Sequence, residues 1–333
     1  MNITTFTQDL LTRSLAVGAI AAACVFACPA AWRGRVRRSL PAWAFVALLL
    51  LPLGMFAPVR IAAPAMLAEL PSAPAVDSAW LAMLWFTGAL FCLVRLASGA
   101  FAIRSLMKTT CAVPGSDWAE CLAAAQKTLG LRGRTHIRLA GPGFIPSATG
   151  LFRRTVLLPD EALQWTKEQR RLVLLHELGH FCRWDLWTHA LGRVACALHW
   201  FNPFAWMLQN QLCVEREYAV DELVVEHGVA PTDYATVLWQ MASAATRRPT
   251  AAAAFLAMAE RQPGKLEQRV RRILAPARRK SRVLGALDGL VCLGVAVLLL
   301  ICSACRPVAN AHPADYSTAD VQLRLSADPF PGE

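Results

Sequence analysis

Four long apolar stretches constrain the fold of this chain more than any other feature. They occupy residues 14–32, 42–59, 79–103 and 283–304. A helix needs about 20 apolar residues to cross the hydrocarbon layer of a bilayer, and each stretch is close to that length. Because 56% of the 333 residues are hydrophobic and only 17% are charged, the composition excludes an ordinary soluble domain. The sequence therefore predicts a mainly α-helical membrane protein with four transmembrane helices.

Basic residues are distributed unevenly between the loops, and this asymmetry predicts an orientation. Four arginines follow the first stretch, whereas the loop after the second contains only Arg60. Seven further basic residues lie within 269–282, immediately before the fourth stretch. Since Lys and Arg accumulate in cytoplasmic loops, we expect both termini outside. The predicted regions are a three-helix membrane region (1–104), a cytoplasmic domain (105–282), a fourth span (283–304) and a short extracytoplasmic tail (305–333).

The formal net charge of +11 is interpreted as an orientation signal and as attraction to anionic lipid. On this interpretation, the basic run before the fourth stretch is a lipid-surface anchor. Direct nucleic-acid binding is not expected, because no helix-turn-helix or zinc-finger spacing is present. The 11 cysteines are odd in number and many lie in apolar stretches. This usage favours reduced thiols over a disulfide framework.

Turn signals and periodicity predict the elements of the 105–282 domain. We expect a helix over 118–129, closed by Gly130, and strands over 135–139 and 155–158. A capping box at 166–169 starts a further helix, and later helices are predicted over 215–226, 232–246 and 265–274. The apolar segment 186–214 is interrupted at Asn202 and Pro203. It is interpreted either as a buried helical hairpin or as a hairpin that dips into the bilayer.

The helix that follows the capping box carries the sequence HELGH at residues 176–180. His176 and His180 are four residues apart, so both imidazoles project from one helix face and can reach one zinc ion. Glu177 is then placed to act as the general base toward a water molecule. The alternative is a pair of structural histidines on a buried helix.

A catalytic zinc site needs a third protein ligand, and Glu217 is the best downstream candidate. Asp221 is four residues further on, so it shares the face of Glu217 and is predicted to accept a hydrogen bond from the outer nitrogen of a ligand histidine. Glu215 is a rival ligand off that face. The other interpretation of this region is a solvated acidic helix face. Asp185 is a further candidate for supporting a ligand, or it caps the following helix.

Together, these residues resemble the BlaR–MecR-type integral-membrane metallopeptidases. The resemblance covers residues 146–222, with weaker likeness in the arrangement of the spans and in 265–274. The features that carry it are the HELGH sequence with Asp185, the stretch HWFNP at 199–203, Arg216-Glu217 through Asp221-Glu222, and Pro146, Gly150 and the VLLP sequence at 156–159. The HtpX-like and CAAX prenyl proteases share the zinc motif but are not expected to carry HWFNP.

The resemblance implies a cytosol-facing, gluzincin-like α+β domain inserted between the third and fourth spans of a protein in the bacterial inner membrane. It implies Zn²⁺ bound by His176, His180 and Glu217, with Glu177 as the general base. It also implies that Thr155, Val156 and Leu157 lie in the edge strand that pairs with an extended substrate peptide. Tyr218 and His199 are candidates for a second oxyanion donor, each with a structural role as the alternative.

The resemblance further implies a regulatory protease that cleaves a cytosolic or membrane-associated protein, such as a transcriptional repressor, in response to an extracytoplasmic signal. The β-lactam sensors of this family carry a penicillin-binding domain after the fourth span. The tail here is predicted to be too short for such a domain, so sensing is expected to use the spans, the tail, a sensor partner or a homo-oligomer. The alternatives are an HtpX-like housekeeping protease and a signal transducer with an inactive site.

Overall fold

The computed structural model describes residues 3–27, 33–54, 60–62, 79–247, 264–275, 294 and 306–308. The described chain is mostly helical, with one four-stranded sheet and one two-stranded pair. The helices are α1 (Ile3–Ala27), α2 (Arg33–Gly54), α3 (Ala79–Thr109), α4 (Ser116–Thr128), α5 (Lys167–Cys182), α6 (Asp185–Leu198), α7 (Pro203–Glu226), α8 (Pro231–Arg247) and α9 (Gly264–Leu274). The strands are β1 (Arg60–Ala62), β2 (Cys111–Ala112), β3 (His136–Leu139), β4 (Ser147–Thr149), β5 (Thr155–Leu158) and β6 (Arg306–Val308).

Two of the described helices contain segments long and apolar enough to cross a bilayer, namely Thr7–Ala27 and Ala79–Thr109. They overlap the first and third predicted spans, but the first begins seven residues earlier and the third ends six residues later than predicted. The apolar part of α2, Ser39–Leu51, is shorter. The fourth predicted span lies outside the described residues, apart from Gly294. Helix α3 continues without a break past the predicted boundary at residue 104 and ends at Thr109.

The sheet has the strand order β2-β3-β5-β4. Strand β5 pairs in parallel with β3 and antiparallel with β4. The prediction that Thr155, Val156 and Leu157 form an edge strand is therefore wrong. All four residues of β5 are buried, because the strand has a neighbour on each side. The edge beside β5 is instead formed by β4, which pairs only with β5 among the described strands.

Helix boundaries follow local signals in the sequence. Thr166 caps α5, and its reciprocal hydrogen bonds with Gln169 confirm the predicted capping box. The helix predicted over 215–226 instead begins at Pro203. Asn202 caps it by accepting from the backbone N–H groups of Phe204 and Ala205, and proline at the first helical position needs no donor. Helix α6 has already ended at Leu198, and Asn202-Pro203 starts the next helix.

Helix α7 joins two separate hydrophobic cores. Its first half, including Leu208 and Leu212, packs with buried residues of α1, α2 and α6. Its second half, including Val224, belongs to a core formed with α4, β5, α5, α8 and α9. The described cysteines are free thiols. The first core contains the first two predicted membrane helices, and the second supports the helix that carries HELGH.

Candidate metal centre

Helices α5 and α7 approach each other closely where the histidines lie. A Cβ atom added to Gly179 would lie 2.9 Å from Val220 Cγ1, a distance that real side chains do not reach. Glycine at this position therefore allows α7 to pack against α5. Glu217 lies one turn before Val220, so this packing brings its carboxylate to the two histidines.

The three predicted ligands meet at one point. The candidate donor atoms of His176, His180 and Glu217 all lie within 4.8 Å of one another. His176 Nε2 is 3.5 Å from Glu217 Oε2, and His180 Nε2 is 3.8 Å from Glu217 Oε1. Tetrahedral zinc with bonds of about 2.0–2.1 Å separates its ligand atoms by about 3.3 Å. Two nitrogens and one carboxylate with this spacing suit such an ion and leave a fourth position for water.

The outer nitrogen of each histidine is held by a different partner. His180 Nδ1 lies 3.0 Å from Asp185 Oδ2, as predicted for Asp185. The turn between α5 and α6 makes this possible, because Trp184 adopts a positive φ of 59° and the chain folds back at once. With its proton on Nδ1, the imidazole presents the Nε2 lone pair to a metal.

His176 is held in a way that the sequence did not predict. Its Nδ1 lies 2.8 Å from the hydroxyl of Tyr234, and that hydroxyl donates to Asp221 Oδ1 at 2.7 Å. Asp221 itself lies 3.5 Å from the same nitrogen. Asp221 was expected to accept directly from a ligand histidine, but it supports His176 chiefly through Tyr234. Burial and the Asp221 carboxylate raise the pKa of Tyr234 well above its usual value, so the hydroxyl remains a donor.

Arg269 of α9 completes the centre and was also missed. Its guanidinium contacts both oxygens of Asp221 at 2.8 Å and lies 3.3 Å from Glu217 Oε2. Burial alone would raise the pKa of Glu217, but His180, His176 and Arg269 hold it well below its usual range. The carboxylate is therefore ionised and ready to bind a cation. Side-chain contacts from α8 and α9 depend on tertiary packing, and no local motif indicates them.

A second arginine of α9 also faces the protein. Arg272 donates to Glu222 at 2.9 Å and lies over the ring of Tyr218 at 4.5 Å. The basic run before the fourth stretch was interpreted as a lipid anchor. Arg269 and Arg272 bind acidic residues of α7. Residues 276–282 of the run lie outside the described residues, so the lipid anchor stays a prediction.

The remaining candidates are now separated by their contacts. Glu177 is buried, with 5% of its surface exposed, on the helix that carries both histidines. Glu215 accepts from Gln211 at 3.0 Å and lies outside the ligand cluster. The hydroxyl of Tyr218 donates to Gln268 of α9. His199 contacts the backbone carbonyl of Leu48 on α2. Both side chains thus have structural partners, and an oxyanion role for either stays a prediction.

Comparisons with known proteins identify the family of the chain. The sequence profile of the BlaR1 peptidase M56 family matches residues 21–273. The regulatory protein BlaR1 of Bacillus licheniformis is 23% identical over 158 residues, which are 47% of this chain and 26% of that protein. The chain thus aligns with about a quarter of the length of this relative. Because the family profile covers more than half of the sequence, the chain belongs to the BlaR1 peptidase M56 family.

Proposed function

We propose that this protein is a zinc-dependent membrane endopeptidase with a regulatory role. The observation that carries the proposal is the convergence of His176, His180 and Glu217 beside Glu177. A purely structural zinc site is closed by four protein ligands, whereas a catalytic site keeps a position for water. The His-His-Glu set supports the second kind of site. A buried glutamate next to the first ligand has a use only where a water molecule must be activated.

Each residue of the centre has its own role in the proposed reaction. A zinc ion held by the two imidazoles and Glu217 would supply Lewis acidity that lowers the pKa of water and polarises the scissile carbonyl. Glu177 accepts the proton of the attacking water and delivers it to the leaving amide nitrogen. Asp185 and Tyr234 hold the imidazoles in the tautomer that binds a metal. Arg269 fixes the orientation of the Glu217 carboxylate.

The open edge of the sheet provides a place for an extended substrate. Strand β4 packs near α5 and has one free edge among the described strands. An extended peptide can add to such an edge through main-chain hydrogen bonds, and pockets for alternate side chains then give specificity. We therefore assign to strand β4 (Ser147–Thr149) the pairing with an extended substrate peptide, which was predicted for β5.

The regulatory part of the proposal rests on the family and on the printed name of the relative, which is a regulatory protein. In this proposal, four transmembrane helices anchor the protein in a bacterial inner membrane, with the peptidase domain facing the cytoplasm. An extracytoplasmic signal, received by the spans or by a partner, leads to cleavage of a cytosolic or membrane-associated protein such as a transcriptional repressor.

The experiment compares protein termini in cells that carry the wild-type chain, Glu177→Gln or Glu168→Gln. Glu168 lies on the same helix as Glu177, but its side chain is exposed and bound to Arg171. New protein N-termini are expected in wild-type and Glu168→Gln cells and are expected to be absent with Glu177→Gln. Identical termini in wild-type and Glu177→Gln cells would show that the proposed mechanism is wrong.

A further inference from the structure

The turn between α6 and α7 is bonded to three helices of the membrane region. Each polar side chain of the turn has a partner on a different helix. His199 Nε2 donates to the carbonyl of Leu48 on α2 at 3.0 Å, Trp200 Nε1 to that of Trp85 on α3 at 3.3 Å, and Asn202 Nδ2 to that of Ser14 on α1 at 2.7 Å. The contacts are close, because a Cβ atom added to Gly88 of α3 would lie 2.3 Å from the Trp200 ring.

These contacts place the turn deep along a candidate span. The Asn202 side chain lies against Ser14 and Gly18 of α1, within the span Thr7–Ala27. At a rise of 1.5 Å per residue, Ser14 is about 10 Å from the start of that span and Gly18 about 14 Å from its end. The hydrocarbon layer is about 30 Å thick. The turn is thus level with the middle of a helix that matches the layer in length.

Most polar groups of the turn are bonded within the protein, although His199 Nδ1 is buried without a hydrogen-bond partner among the described residues. Asn202 caps α7, and the backbone N–H of Asn202 donates to the carbonyl of His199. Non-helical backbone is tolerated at membrane depth only where protein or water covers it. The single charged residue of 186–214 is Arg193, and its guanidinium lies over the Trp206 ring at 5.8 Å.

The outward surface of the two helices exposes large apolar side chains near the turn, together with one polar side chain, Asn210. Leu191 of α6 is 42% exposed and Met207 of α7 is 43% exposed. The opposite faces pack into the apolar core shared with α1 and α2. Leu191 and Met207 lie eight residues before His199 and five after Asn202, so both fall within about 12 Å of the turn along their helix axes.

We propose that α6 and the first half of α7 form a re-entrant hairpin whose turn lies near the bilayer midplane. Glu217 is 15 residues from Asn202 on the same helix, which is about 22 Å. Half of the hydrocarbon layer is about 15 Å, so the metal centre lies at the membrane surface. Resting on the proposed function, this position restricts cleavage to peptide segments held close to the bilayer.

The test uses the full chain in phospholipid nanodiscs, with a photoreactive benzoyl-phenylalanine at one position at a time. Met207 and Leu191 report on the hairpin. Phe91 of α3 and Trp239 of α8 are matched controls, because both are large hydrophobic residues, with exposed fractions of 68% and 61%. Phe91 lies in a candidate membrane span, whereas Trp239 lies on a helix of the second core. After irradiation, mass spectrometry measures the fraction of chains that carry a phospholipid adduct.

We expect lipid adducts at position 207 or 191 at a level comparable with position 91, and at least about tenfold above position 239, because hydrocarbon surrounds an inserted hairpin. Adduct levels at both hairpin positions equal to that of position 239 would overturn the proposal. The experiment is repeated with Glu177→Gln, in which adducts are expected to be unchanged. Adducts therefore test the hairpin independently of whether the chain cleaves any protein.

Discussion

The two ligand histidines are fixed by unlike partners, a carboxylate for His180 and a phenol for His176. The phenol of Tyr234 carries the orienting effect of Asp221 across one additional hydrogen bond. Groups that hold the outer nitrogen of a ligand histidine contribute to metal affinity, because they fix the tautomer and the ring orientation. Tyr234 is therefore expected to matter at the metal centre although it touches no metal.

We predict that Tyr234→Phe weakens zinc binding by about 10- to 100-fold, since His176 loses the partner of its Nδ1 atom. Tyr218→Phe is the matched control, because its hydroxyl donates to Gln268 away from the ligand cluster. Competition with a chromogenic chelator measures both affinities. Equal affinities in the two variants would contradict the role assigned to Tyr234.

The candidate ligands were predictable from the sequence, whereas only two of their four supports, Asp185 and Asp221, were. The period of an α-helix places residues four apart on one face, so His176 with His180 and Glu217 with Asp221 could each be paired locally. Asp185 lies one short turn beyond its histidine. Tyr234 and Arg269 reach the centre from helices α8 and α9, and which side chains meet there is decided by packing between distant elements.

At the scale of elements, α9 stabilises α7, the helix that supplies the third candidate ligand. Its guanidinium groups bind three acidic residues of α7, while Val270 and Ile273 pack into the second core. An isolated helix of 11 residues is only marginally stable in water, so α9 depends on these contacts to remain helical. The docking of α9 on α7 and the position of Glu217 therefore depend on each other.

We predict that Arg269→Ala lowers the free energy of unfolding by about 3–5 kcal/mol. It leaves the buried Asp221 carboxylate without its cation and removes one of the two arginines that contact Glu217. Arg271→Ala, on the same helix, removes an exposed side chain paired with Glu267. Its effect is expected to stay within about 0.5 kcal/mol. Chemical denaturation of the metal-free protein measures the free energy of unfolding of both variants. Equal decreases in the two would contradict the stabilising role of α9.

Strand assignment shows where local signals were insufficient. The sequence 155–158 was recognised as a strand, but its neighbours in the sheet were not, since pairing is set by non-local contacts. Strand β4 has only three residues, too few for a recognisable alternation of polar and apolar residues. The open edge was therefore assigned to the wrong strand. Similarly, the full length of α7 was hidden because Asn202-Pro203 was interpreted only as an interruption.

At the scale of the whole molecule, α7 links the membrane core to the metal centre in one continuous helix. One end is bonded to α1 through Asn202, and the second half carries Glu217. A displacement of the membrane helices would therefore move a metal ligand. This arrangement connects the predicted membrane region to the candidate metal centre through one helix.

We predict that Gly88→Ala destabilises the packing of the α6–α7 turn on α3 by about 1–3 kcal/mol, because the new methyl group overlaps the Trp200 ring. Gly99→Ala on the same helix meets nothing within 4 Å among the described residues. It is expected to be neutral or slightly stabilising, since alanine favours helix. Thermal unfolding in nanodiscs, followed by tryptophan fluorescence, compares the two, and a lower midpoint for Gly99→Ala than for Gly88→Ala would contradict the packing described.

The metal content of the purified chain tests the central claim most directly. Elemental analysis after gel filtration would compare the wild type with Glu177→Gln and Glu217→Ala. We predict about one zinc ion per chain in the wild type and in Glu177→Gln, because the glutamate of the motif is not a ligand. Glu217→Ala should lose most of its zinc. A wild-type chain without metal, or a Glu217→Ala chain with undiminished zinc, would contradict the assignment of this centre.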